Sequence, residues 1–177
     1  MKIPYHFKIM LLWKYYLNNQ RNEKLIKINN NTAGSKSILY FLPDNKKESQ
    51  IVNYLIQDFY KEEKSIHYFC KRDSLINYKN NSHENFIVYQ DIDLNKLGFF
   101  NNMKIVDQLN NLECDSLVDL NLSFNPVSLI IAYQLKYSIK IGFKSDVSDK
   151  IFNIILEKNK KAVFEKSFQT IKQLLHK

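Results

Sequence analysis

The residues able to do chemistry in this chain lie mostly where short apolar runs give way to polar ones. Asp44 and Asn45 follow the run at 38–42, and Lys71 and Arg72 follow the run at 66–70. Asp91 and Asp93 come after 86–89, Asn121, Ser123 and Asn125 close the run that begins at 115, and Lys144 follows 138–143. Asp44 is the candidate general base, since a carboxylate at a strand tip can take a proton from a ligand hydroxyl. An Asp after a Pro equally suits a turn or a helix cap. Lys71 and Arg72 are suited to a phosphate or carboxylate, or else to an exposed charged loop. Asp91 and Asp93 hint at a cation, but no third ligand accompanies them, which favours a solvated loop. Asp119 stands inside an apolar strand-like run, where an unpaired carboxylate is costly. It must therefore accept hydrogen bonds or meet a lysine, and its role reads as structural.

Other chemistries are poorly represented. His6, His67, His83 and His176 are scattered and suggest no triad. Cys70 and Cys114 each sit in an apolar run with no CxxC spacing, so buried, reduced thiols are expected, and no metal site. The chain has three glycines and none follows the run at 38–42. A dinucleotide fingerprint or a Walker loop needs glycine there for the backbone to approach phosphate, so no cofactor is expected.

These polar positions are held by alternating elements. Residues 37–42, 66–70, 86–89, 115–122 and 138–143 read as short buried strands. Between and after them, helical spacing predicts helices over about 46–60, with Ile51, Tyr54, Leu55 and Phe59 inward, over 103–112, and from Pro126 through Leu135. Pro126 fits the first turn of its helix. Residues 151–156 suit a sixth strand or a helix, and 161–176 a last helix. Strands alternating with helices imply right-handed βαβ units. The expected fold is therefore α/β, a Rossmann-like, mainly parallel sheet of five or six strands with helices on both faces.

Residues 1–34 read as a separate amphipathic arm and linker, preceding a domain over 35–177. Ile9, Leu12, Trp13, Tyr16 and Leu17 recur at helical spacing, and Lys8, Lys14, Arg21 and Lys24 supply a basic surface. Such a helix packs its apolar stripe on the domain, or presents Lys8, Trp13, Lys14, Arg21 and Lys24 to a protein, RNA or a membrane surface. The formal charge of +8 keeps all these partners open, and the 45% hydrophobic content excludes a wholly disordered chain. No run approaches a membrane span, and Lys8 and Lys14 interrupt the N-terminal apolar stretch that a signal peptide would need. The location expected is cytoplasmic.

One block carries a family resemblance. Asp115-Ser-Leu-Val-Asp-Leu120, then Asn121 through Pro126, an apolar helix, and Ile139-Lys-Ile-Gly-Phe143 resemble the N-terminal half of the family 9 glycosyltransferases, the heptosyltransferases of lipopolysaccharide cores. Those enzymes are similar in a D-x-h-h-D-L strand, a polar turn, a helix, and a strand ending in R/K-I-G-F/Y. The similarity spans residues 37–145 and implies half of a GT-B architecture. It also implies that Asp44 stands near the family's acceptor-activating base, although the family's Gly-Asp pair is Pro43-Asp44 here. A second, donor-binding domain is expected to be missing, as in short bacterial proteins of one-domain layout. The function expected is a non-catalytic relative used as a binding or scaffold module, with Asn45, Lys71, Arg72, Asn121, Ser123 and Asn125 as ligand-binding candidates. A basic accessory protein for RNA or the ribosome, and a transferase subunit needing a separate donor domain, are the alternatives. Gly142 is expected at a strand-end turn.

Overall fold

Short apolar runs separated by polar turns become strands, because each buries both faces only inside a sheet. The computed structural model describes residues 34–56, 65–78, 85–157 and 163–175, with Pro4, Phe7, residues 9–11 and Lys14. Among these, the strands are β1 (Ser37–Phe41), β2 (Ser65–Lys71), β3 (Phe86–Tyr89), β4 (Ser116–Asp119), β5 (Ile139–Phe143) and β6 (Ile154–Leu156). The helices are α1 (Lys46–Ile56), α2 (Met103–Asn110), α3 (Pro126–Gln134) and α4 (Val163–Leu175). The strands form one sheet in the order β3-β2-β1-β4-β5-β6, and every pairing is parallel. This is the doubly wound order of Rossmann-like folds. The ambiguous stretch at 151–156 divides: residues 151–153 turn, and the last three pair with β5.

Two apolar layers cover the sheet. Leu39, Phe41, Phe69 and Leu117 face one way and pack with Val106 and Leu109 of α2 and Ile130 and Ile131 of α3. Ile38, Tyr40, Tyr68 and Val118 face the other way and meet Val52 and Ile56 of α1 and Ile171 and Leu175 of α4. Residues 38–41 of β1 are fully buried, each large side chain there contributing about 1.5–3 kcal/mol of burial. Of the residues expected on the inward face of α1, Ile51 departs from expectation, while Phe59 and the side chains of Tyr54 and Leu55 lie outside the described residues. Ser49, Val52 and Ile56 are buried, whereas Ile51 is 39% exposed and turns toward the cleft described below. The 3-10 helix Arg72–Tyr78 was not foreseen; it buries Tyr78, whose hydroxyl donates to the Pro43 carbonyl at 2.8 Å.

Gly142 lies within β5, not at a turn. A Cβ there would come within 2.6 Å of three Phe152 ring atoms, so close packing, not backbone freedom, favours glycine. Lys140 on the same strand is buried, and its ammonium donates to the Ala132 carbonyl at 2.7 Å, near the C-terminal end of α3 where positive charge is favoured. Cys70 and Cys114 are buried and free, and burial pushes the Cys70 thiol up to about 12. In the N-terminal segment Phe7, residues 9–11 and Lys14 are helical, and Ile9 and Leu11 pack against the α2/α3 layer. Lys8, Trp13, Arg21 and Lys24 lie outside the described residues.

Candidate functional site

From β1 the chain winds outward to β2 and β3, then returns to place β4 on the other side of β1. At such a reversal the loops after the two neighbouring strands part, and the crevice outside their carboxyl ends is where α/β sheets take ligands. Here it is a cleft of about 820 Å³. One wall is the β1–α1 turn and the start of α1, with Asp44, Asn45 and Glu48. The other is the β4–α3 loop from Asn121 to Asn125, and Tyr89 and Lys71 close the end.

Asp44 ties these elements together. Its Oδ2 accepts from the Tyr89 hydroxyl at 2.6 Å and from Asn125 Nδ2 at 3.3 Å, and its Oδ1 accepts from the Lys71 backbone N–H at 3.2 Å. Burial raises its carboxyl above the usual value; the Tyr89, Lys71 and Asn125 donors pull the other way without cancelling it. The Tyr89 phenol is itself pushed up, first by burial and then by the Asp44 charge, so it stays protonated and remains the donor. Asp44 does not cap α1. That role falls to Asn45, whose Oδ1 accepts from the Glu48 N–H at 2.9 Å.

The opposite wall is built from three polar side chains that the strand end and helix start bring together. Asn125 caps α3, accepting from the N–H groups of Val127 at 3.0 Å and Ser128 at 3.3 Å, and Pro126 follows as the first helical residue. Its amide also donates to Asn121 Oδ1 at 3.2 Å. Asn121 donates in turn to Asp119 Oδ1 at 2.7 Å and to Ser128 Oγ at 3.0 Å. Asp119, 4% exposed, therefore meets the hydrogen-bonding need expected of it and anchors the loop. Ser123 donates through its backbone N–H and its hydroxyl to Glu48, and the Leu122 N–H joins the same carboxylate at 3.0 Å.

Charged candidates mostly neutralise one another. Lys71 Nζ lies 2.7 Å from Asp91 and 3.5 Å from Asp73, and the Asp91 hydrogen bond is the main reason its ammonium is raised. Arg72 is exposed on the 3-10 helix and does not line the cleft, so Lys71 and Arg72 form no joint anion clamp. Asp93 turns away from Asp91 to accept from the Gln90 N–H at 2.7 Å and from Asn102 at 2.6 Å. Lys144 pairs with Glu157 at 2.7 Å. Among the described residues, no three His, Cys, Asp or Glu side chains gather to hold a metal, and no helix is long and apolar enough to cross a membrane.

The structure thus brings Asp44, Asn45, Lys71, Asn121, Ser123 and Asn125 to one cleft and leaves Arg72 outside it. Two members were missed from sequence. Tyr89 sits in an apolar FIVY run that reads as core, with nothing to mark its hydroxyl. Glu48 carried a signal, the Asn45-x-x-Glu48 spacing of a capping box, though that pattern predicts a contact within α1 and not across the cleft. Fold and crevice together define a doubly wound α/β protein with a cleft at its switch point, where polar side chains stand among apolar ones such as Ile51, Leu94 and Phe124. No family model, curated protein or solved structure matches the chain.

Proposed function

We propose that the chain is a non-catalytic relative of the N-terminal half of the family 9 glycosyltransferases, a binding module whose ligand occupies the cleft. The position and engagement of Asp44 carry this reading. It follows β1, near where the resemblance puts the acceptor-activating base, yet its Oδ2 is already held by Tyr89 and Asn125 and its Oδ1 by the Lys71 N–H. Such a carboxylate serves as a fixed acceptor for ligand hydroxyls, and the amides of Asn121 and Asn125 extend the same hydrogen-bonding surface.

Titrating a panel of saccharides, with and without phosphate or carboxylate groups, by calorimetry tests this. One or more should bind, and Asp44→Asn and Asn125→Ala should weaken that binding by about tenfold or more, the worth of a charge-assisted hydrogen bond. Failure of the whole panel to bind counts against the cleft as a saccharide site. Sugar transfer from a nucleotide-sugar donor, abolished in Asp44→Asn, would replace the non-catalytic role with that of a transferase subunit needing a donor-binding partner.

A second role, an accessory protein binding RNA or the ribosome, is favoured by where the charge lies. Residues 1–34 hold six Lys/Arg against one Glu and residues 158–177 hold six against one, while residues 35–157 hold fourteen against sixteen acidic residues. The basic excess therefore belongs to the two terminal segments, and the region containing the cleft is slightly acidic. RNA affinity that falls steeply with salt supports contacts to phosphate; affinity indifferent to salt, or none, removes this role.

A further inference from the structure

Glu48 occupies an unusual position for the third residue of a helix. Asn45 caps α1 by accepting from the Glu48 N–H, which is half of a capping box. The reciprocal half would have the Glu48 carboxylate accept from the Asn45 N–H. Instead the carboxylate crosses the cleft. Its Oε2 accepts from the Leu122 N–H at 3.0 Å and the Ser123 N–H at 3.4 Å, and its Oε1 accepts from the Ser123 hydroxyl. Two consecutive backbone N–H groups and a hydroxyl converging on one carboxylate make a receptor for an anionic group, and the protein already holds one there. The occupant is tethered to the far wall of an 820 Å³ cleft, and Ser123 at the receptor is exposed, so the contact is open to exchange. Lys46 and Lys47, the first two residues of α1, are exposed beside it, and Lys47 lines the cleft.

We propose that Glu48 is a two-position switch standing in for the anionic group of the cleft's ligand. In one position, the one the structure shows, it crosses to Leu122 and Ser123 and joins the walls. A ligand carboxylate or phosphate takes those donors, and Glu48 swings back to the Asn45 N–H, completing the capping box at the positive end of α1. The ligand's hydroxyls then meet Asp44 and Asn125. This deepens the binding-module reading and rests on it, because it assigns the charge of the ligand and the closure of the same cleft. The exchange also gives the ligand a differential grip on two arrangements of one side chain, as a population shift requires.

The probe is inorganic phosphate, titrated at constant ionic strength while the backbone amide signals of Asn45, Leu122 and Ser123 are followed by NMR. In the wild-type chain all three should move with one common affinity, Asn45 reporting the return of Glu48. Glu48→Ala should bind phosphate at least about tenfold more tightly, since a charged, hydrogen-bonded competitor has been removed, and its Asn45 signal should no longer respond. Glu48→Gln keeps the shape without the charge and should fall between, which preserves the test if the alanine variant does not fold. Equal phosphate affinity in the wild type and the folded variants, or an Asn45 signal that still responds without Glu48, overturns the switch. A saccharide that binds in an Asp44-dependent way while phosphate leaves Leu122 and Ser123 unmoved overturns the switch and spares the binding module. Phosphate behaving as described with no saccharide bound spares the switch and removes the saccharide.

Discussion

Asp44 is a carboxyl whose folded environment favours the proton. Burial lifts it above its ordinary 3.8, so between 3.8 and the folded value the native chain binds more protons than the unfolded one. Its contribution to stability is then fully present below 3.8 and is lost as pH rises through the folded value. Subtracting the urea-unfolding free energy of Asp44→Asn from that of the wild type, pH by pH, should give a difference that favours the wild type most in acid and declines above 3.8; a difference flat in pH refutes the assignment. Gly142 gives a second test. Gly142→Ala drives a methyl against the Phe152 ring and should cost about 1–3 kcal/mol, as overpacking does, and shortening Phe152 to Leu in the same chain should recover part of the loss. Additive effects of the two changes would show that the ring is not the obstacle. Asp44 was legible in the sequence because it ends an apolar run. Its partners were not, since Tyr89 and Asn125 lie 45 and 81 positions away and only the parallel register brings them to one point.

At the scale of elements, Asn45 and Asn125 both cap a helix at the cleft, but only the Asn125 side chain also bonds to other residues of the site. Asn45→Ala removes one capping contact and should cost about 1 kcal/mol. Asn125→Ala removes the cap of α3 and, with it, the bonds to Asp44 and Asn121, so about 2–4 kcal/mol is expected in the same urea measurement. Equal losses would mean that Asn125 merely caps. The βαβ alternation was readable because the strands are short apolar runs and Asn45, Asn102 and Asn125 punctuate the starts of α1, α2 and α3. Faces were harder. Ile51 looks inward by hydrophobicity, but Val52 and Ile56 point to the sheet, and spacing alone could not choose between neighbouring stripes on α1. The 3-10 helix at Arg72–Tyr78 has too few residues and too mixed a composition to show a period; it exists because Tyr78 finds the Pro43 carbonyl.

For the whole molecule, the N-terminal segment and the charge distribution belong together. Ile9 and Leu11 pack against the α2/α3 layer, so removing residues 1–30 should lower the melting temperature by several degrees. An unchanged melting temperature would mean that the segment is dispensable to the core and would strengthen its role toward a partner. The sheet's strand order also governs how the chain can be made. β1, buried from Ile38 to Phe41, is the first strand synthesised among the described residues, and β2 covers one of its edges early, in the register Ser37↔Ser65. Its other edge pairs with β4, which begins only at Ser116. At ribosomal rates of 5–20 residues per second that interval lasts about 4 to 15 seconds. Throughout it, an apolar strand edge stands open to any extended chain nearby. The nascent protein therefore passes through a window of vulnerability to misassembly that the finished sheet conceals, and it is there that a chaperone would matter most.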